Sequence, residues 1–255
     1  MTSYKDFAVS LAFRAGDIMK QNFTVGMLKK WKKDNTPLTA TDLAINSLVM
    51  TEVHNNFPDH GIIAEEGSDF NGEEYTWVCD PVDGTIPFSH GYPLFTFSFA
   101  LVKNGHPILG LLYDPVLSRM VIAQIGLGAY INGKKIKVSL ASNFSRSLFS
   151  LDSNQPLPKL RQELKQAGCI ITTFACLTYS SMLVAIGEFA GVIWGGKTPW
   201  DGAAVQIIIE EAGGICTDIN GQPQRYDREI NGIVASNREL HPQLMKMIEQ
   251  SNERL

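Results

Sequence analysis

Between Ser139 and Ser147 the chain changes its rhythm, and that change constrains the fold more than any single residue does. Upstream, two helical stretches precede a run of short strands. From Ser3 to about Phe23 the apolar positions Phe7, Leu11, Ala15, Ile18 and Met19 recur at helical intervals, with Ser3 placed to cap. A second helix runs from Thr41 or Asp42 to about Asn55. Strands follow at 61–66, 75–80 and 93–103, the last alternating Phe95, Phe97, Phe99 and Leu101 with small residues, the period of a half-buried strand. Asn104-Gly105 and Asn132-Gly133 are hairpin dipeptides, so strands at 107–113, 119–125 and 129–131 read as an antiparallel meander. Downstream, strands at 147–152, 169–175, 189–194 and 232–236 alternate with helices at 157–167, 178–187, 201–212 and 238–250. The pattern predicts an N-terminal α+β half with an antiparallel sheet, residues 1–142, and a C-terminal α/β half, residues 143–255.

A net charge of −4, from 22 basic and 26 acidic residues, argues against nucleic acid as a partner. The one basic cluster, Lys29, Lys30, Lys32 and Lys33 around Trp31, reads as a solvated loop or helix end, with Lys33 the candidate to approach an anionic site. Four cysteines, Cys79, Cys169, Cys176 and Cys216, show no C-x-x-C spacing and lie in apolar surroundings, so free thiols are expected rather than disulfides or zinc. No signal-peptide pattern opens the chain and no apolar run approaches a membrane span; the expectation is a cytoplasmic protein with no membrane partner.

The chemistry gathers at Trp77-Val78-Cys79-Asp80-Pro81-Val82-Asp83-Gly84-Thr85. A β-branched, aromatic run would deliver Asp80 to a sheet edge, Pro81 and Gly84 would fix a turn, and the backbone N–H groups after Gly84 would be free to bind an anion. Two carboxylates about 4 Å apart repel by roughly 4 kcal/mol at an effective dielectric of 20, so a shared divalent cation is the simplest way to hold them together. Taken alone, D-x-x-D-G is more simply an Asx turn with two solvated aspartates, since acidic turns are common. Two further segments add weight: Gly61-Ile62-Ile63-Ala64-Glu65-Glu66, an apolar run ending in carboxylates, and Pro199-Trp200-Asp201-Gly202-Ala203-Ala204, an acid opening an apolar helix.

In this order, with Thr39-Ala40-Thr41-Asp42 upstream and Glu211-Ala212-Gly213-Gly214 downstream, these segments resemble the inositol monophosphatase family of magnesium-dependent, lithium-sensitive phosphatases. The resemblance implies an αβαβα layered sandwich, a homodimer, and a small phosphorylated metabolite as substrate. It also implies two or three Mg²⁺ ions: one on Glu65, Asp80 and the Val82 carbonyl, a second on Asp80, Asp83 and Asp201, and a weaker third on Glu65 and water. It places Thr85 and Asp42 as a hydrogen-bonded pair beside the attacking water, Gly84 and Thr85 on the phosphate, and Glu66 behind Glu65. Read from the residues alone, Asp42 is as simply a helix-start acid favoured by the macrodipole. His90 and Trp200 need only structural roles.

The substrate half departs from the family pattern. Inositol-hydrolysing members carry a Glu seven residues before the Trp-Asp aspartate, and this chain has Trp194 there, with Ala175-Cys176 replacing a small Gly-Ser pair. A Trp offers a stacking face and one N–H donor but accepts nothing from a hydroxyl. Cys176 and Trp194 are therefore the candidate pocket residues, unless Trp194 points into the core. The expected activity is hydrolysis of an inositol or sugar phosphate. Histidinol phosphate, adenosine 3′,5′-bisphosphate, or a regulatory role on the same scaffold are the alternatives.

Overall fold

The computed structural model describes residues 3–32, 37–69, 74–152 and 157–251. The chain opens with α1 (Tyr4–Asn22), capped as expected by the Ser3 side chain on the Asp6 N–H. A two-residue ribbon, β1 (Lys30–Trp31) against β2 (Pro37–Leu38), leads into α2 (Ala40–Asn56). Then come β3 (Gly61–Ala64), β4 (Tyr75–Asp83), the single turn α3 (Thr85–Ser89), β5 (Thr96–Lys103), β6 (His106–Asp114), β7 (Arg119–Gln124), β8 (Gly128–Ile131) and β9 (Lys134–Lys135). The second half runs β10 (Leu148–Asp152), α4 (Pro158–Gln166), β11 (Ile170–Thr172), α5 (Leu177–Ala185), β12 (Gly191–Trp194), α6 (Pro199–Glu211), β13 (Ile215–Thr217), β14 (Ile233–Ser236) and α7 (His241–Ser251).

Strands β3 to β9 form one sheet in chain order, and β11-β10-β12-β14-β13 form a second. Period-two alternation assigns each face of the first sheet its partner. Trp77, Phe97, Phe99 and Leu101 face α1 and α2, where Phe7, Leu11, Ile45 and Val49 meet them. Trp77 stacks on Phe99 with ring centroids 4.6 Å apart. Val78, Ala100, Val102 and Leu112 face the other way, into a core shared with α5, α6 and the second sheet through Val184, Ile208, Val192 and Ile233. Beyond the second sheet, Phe149, Leu151 and Ile193 pack on Leu160 and Leu164 of α4 and on Leu244 of α7. The layers are αβαβα as expected, and the middle core draws on residues from both halves of the chain.

Several expectations need correction. The first sheet is not purely antiparallel, because β3 pairs parallel with β4 (Ala64 opposite Cys79). That register carries Glu65, one residue past β3, alongside Asp80 on β4. The Lys29–Lys32 stretch, read as solvated loop, contributes β1, while Lys33 lies outside the described residues. Helix α6 starts at Pro199 rather than at the acid, which puts Asp201 inside its first turn. All four cysteines are free and buried.

Candidate active site

Strand β4 stays buried to its end, with Asp80 only 3% exposed and Asp83 8%. Its pairing with β5 breaks register between those two residues, and the bulge turns both carboxylates to one side. The strand then reverses at Gly84, whose φ of 88° is left-handed; a Cβ there would lie 2.6 Å from the Leu94 carbonyl oxygen and 3.0 Å from Cys176 Cβ. Only glycine fits, and the chain passes directly into α3. From the other half, α6 brings Asp201, which accepts from the Thr198 hydroxyl at the helix N-cap. One carboxylate oxygen each from Asp80, Asp83 and Asp201 lie within 4.8 Å of one another.

These acids line a cavity of about 400 Å³ together with Lys32, Glu65, Thr85, Trp194 and Trp200. A larger hollow of about 780 Å³ lies between β13 and α7 and contains no such carboxylate cluster, so size alone does not locate the chemistry. Burial first, then the charges of Glu65, Asp83, Asp201 and Asp42, push the Asp80 carboxyl well above the usual carboxylate range. Asp201 is raised likewise, by burial and then by Asp83. Burial also raises Asp83, against the opposing pull of the Thr178 hydroxyl and N–H. Acids forced together out of water in this way need a positive charge between them. The donors are all hard oxygens, which fits Mg²⁺ or a similar cation and not a thiophilic one.

Part of that charge is already supplied. The Lys32 ammonium donates to Glu65 Oε1 at 2.8 Å and also to Glu66 Oε1. Burial lowers its proton affinity, but these two bonds outweigh burial and leave it above the usual lysine range. Lys32 is thus a lysine at the anionic site, while the expectation for Lys33 lies outside the described residues. Glu65 and Glu66 share one lysine.

Thr85 and Asp42 are not bonded to each other here. The Thr85 hydroxyl donates to the Val82 carbonyl at 2.9 Å, and Asp42 Oδ2 accepts from the Thr39 N–H at 2.9 Å and hydroxyl at 2.5 Å in a capping box. The helix-start reading of Asp42 therefore describes its bonds. Its second oxygen, Oδ1, is nevertheless buried without a hydrogen-bond partner among the described residues, and such an atom costs about 1–3 kcal/mol unless something meets it. Trp194 lines the cavity while also packing, half-buried, against the middle core; a Cβ on Gly196 would fall within 2 Å of its ring (1.9 Å to Cζ2), so the indole is seated tightly against that glycine. Cys176, by contrast, is 1% exposed and turned away from the cavity, its Sγ 3.4 Å from both the carbonyl and Oδ2 of Asp83.

Thr178 was not legible as a site residue, because a Thr at a helix start reads as a capping residue and nothing more. Its N–H (2.7 Å) and hydroxyl (2.5 Å) both donate to Asp83 Oδ2, and its hydroxyl also bonds Thr96. The second half of the chain thereby fixes the rotamer of an acid from the first and leaves Asp83 Oδ1 as the oxygen free to bind a cation. Removing the hydroxyl in Thr178→Val is expected to raise the Mg²⁺ concentration for half-maximal activity by about 10-fold, the scale of an outer-shell partner, with Thr178→Ser restoring it. An unchanged Mg²⁺ titration in the valine variant would refute this positioning role.

Buried acids from two halves, grouped beside a tight glycine turn that opens a helix, define a metal-dependent phosphomonoesterase. Residues 1–253 match the model of the inositol monophosphatase family, and the chain belongs to that family. It is 35% identical to a histidinol-phosphatase of Chlorobaculum parvum over 97% of each chain. It is 32% identical to inositol monophosphatase 1 of Solanum lycopersicum, over 96% of this chain and 94% of that one. Among solved structures, an inositol monophosphatase of Thermotoga maritima superposes with a TM-score of 0.88 at 28% identity, covering 96% of both chains.

Proposed function

We propose that this enzyme hydrolyses a small phosphate monoester with Mg²⁺ as cofactor, held by Glu65, Asp80, Asp83, Asp201 and the Val82 carbonyl. The observation that carries the reading is the meeting of three buried aspartates from two halves of the chain within 4.8 Å. When bound, the cation supplies water activation and charge neutralisation on the phosphoryl group. The protein's own part is positional. The N–H groups after Gly84 receive phosphate oxygens, and Thr85 relays a proton from the incoming water: its hydroxyl takes that proton and gives its own to the Asp42 carboxylate, whose Oδ1 has no hydrogen-bond partner among the described residues. Thr85→Ala is expected to lower turnover by roughly 10²- to 10⁴-fold while the Mg²⁺ requirement moves far less. Equal losses in both would make Thr85 a metal-supporting residue instead.

Family resemblance points to inositol or sugar phosphates, but Trp194 in the cavity wall favours a substrate with a flat face over a bare polyol. Trp194→Glu is expected to raise the ratio of kcat/KM for myo-inositol 1-phosphate over an aryl phosphate by about 5- to 150-fold, since it restores a hydroxyl acceptor. A uniform fall on both substrates would remove Trp194 from substrate selection. Phosphate release from a panel of inositol, sugar, histidinol and nucleotide phosphates, with and without Mg²⁺, tests the assignment as a whole. No Mg²⁺-dependent release from any of them would refute it.

A further inference from the structure

We propose that Thr178 and Thr198 set the cation selectivity of this site: each occupies one oxygen of an aspartate, so that Asp83 and Asp201 can each give a cation only one oxygen, an arrangement that favours Mg²⁺ over Ca²⁺. This rests on the phosphatase reading of the site and adds two positioning residues to it, together with the cation they reject.

Thr178, in the first turn of α5, directs both of its donors at one atom. Its N–H (2.7 Å) and its hydroxyl (2.5 Å) meet at Asp83 Oδ2. A carboxylate oxygen has about two acceptor positions, so this one is full and Oδ1 remains for a cation. Because the single proton of that hydroxyl goes to Asp83, Thr96 is the donor in the bond between the two threonines, and this buried chain fixes the rotamer of Thr178. Thr198 reaches Asp201 in a different way. It is the N-cap of α6, where a threonine oxygen ordinarily accepts from a backbone N–H of the first turn, yet its side chain makes no such bond. Thr39 at the start of α2 shows the ordinary use, accepting from the Thr41 N–H at 3.2 Å while it donates to Asp42. At Thr198 only the donation is kept, to Asp201 Oδ2, and the residue lines the cavity. A hydroxyl that leaves its helix uncapped and holds a site carboxylate is placed for the carboxylate.

The consequence lies in how the two ions fill their coordination shells. Mg²⁺ takes about six oxygens in near-octahedral geometry, keeps several waters and needs only one oxygen from each of a few carboxylates. Ca²⁺ takes about six to eight, and carboxylates that bind through both oxygens are a usual way to reach that number. Mg²⁺ also sheds its water more reluctantly, so a group of unconstrained acids favours Ca²⁺. With Oδ2 of Asp83 and of Asp201 engaged by hydroxyls, two-oxygen binding by either acid first requires breaking a charge-assisted hydrogen bond. That penalty falls on Ca²⁺ and not on Mg²⁺.

The test is calorimetric titration of the chelator-treated full chain with Mg²⁺ and with Ca²⁺, a readout that needs no turnover. In the unaltered protein Mg²⁺ is expected to bind at least as tightly as Ca²⁺, and the reverse order would overturn the proposal. Thr198→Ala frees Asp201 Oδ2 and is expected to lower the ratio of the Ca²⁺ to the Mg²⁺ dissociation constant by about 10-fold, the scale on which a partner behind a metal ligand acts. Thr198→Ser keeps the hydroxyl and should keep the ratio. A ratio unmoved in the alanine variant, whether both ions bind as before or both bind more weakly, would reduce Thr198 to a support of α6 and would overturn the proposal. Should the alanine variant not fold, the order of the two ions in the unaltered protein decides the matter. Failure of the underlying reading looks different, as neither ion would then bind the unaltered protein.

Discussion

Asp80→Asn is expected to reduce phosphate release by at least about 100-fold, since losing even an outer-shell partner of a metal ligand costs about 10- to 100-fold. Asp80 sits at the centre of the cluster, with Glu65, Asp83, Asp201 and Asp42 all adding to its field. The amide keeps the shape and can still accept the Val82 N–H that Asp80 Oδ1 accepts at 2.9 Å. What it removes is one negative charge from a buried site that already carries too many, so the metal-free variant should melt no lower than the parent. The loss of rate then belongs to cation binding and not to unfolding. Phosphate release across a Mg²⁺ titration, read beside a melting curve, checks both halves of the claim. Activity equal to the parent at limiting Mg²⁺ would exclude Asp80 as a ligand.

How much of this was legible in the sequence depends on how local each cause is. The alternation of Phe95, Phe97, Phe99 and Leu101 reports burial on one sheet face, and the structure buries all four. Asn104-Gly105 and Asn132-Gly133 fix their hairpins because the asparagines adopt the left-handed φ (50° and 47°) that those turns require. The four ligand candidates could be read as a set only because three spaced acidic segments, in this order, resemble the inositol monophosphatase pattern; taken singly, each acid is as well a solvated turn or a helix-start residue. Contacts made only by tertiary packing left no such trace. The parallel pairing of β3 with β4 is invisible in either strand alone. Strand β13, three residues long after Gly213-Gly214, is too short to show a period. Nothing in the basic cluster singles out Lys32, and only the path of the chain after β1 brings it to Glu65. The register of β10 against β12, which sets Asp152 beside Trp194, involves residues more than 40 positions apart.

Removing the cation should destabilise the protein in a pH-dependent way that ordinary acid denaturation does not mimic. Asp80 and Asp201 have folded-state pKa values raised above those of an unfolded chain, near 3.9 for Asp. Groups raised in this sense contribute stability that is fully present below the unfolded value and lost as pH rises through the folded one. In chelator, the cluster therefore weakens the fold as pH climbs toward neutrality and beyond. Lys32 stays charged throughout that range and offsets only part of the repulsion. Asp227 behaves oppositely: Arg225 and then Arg228 lower it to about 2, so its contribution disappears only in strong acid and does not touch this window. Binding Mg²⁺ demands ionised carboxylates, so it releases protons and its stabilisation grows with pH. At about 100 times its dissociation constant a bound ion contributes about 2.7 kcal/mol, which in a chain of this length is a rise of roughly 5–10 °C in Tm. Melting curves from pH 5.5 to 8.5, in chelator and in Mg²⁺, should diverge as pH increases, and Asp80→Asn should narrow the gap. A Mg²⁺-induced shift of the same size at both ends of that range would mean that the cation does not bind at the buried aspartates.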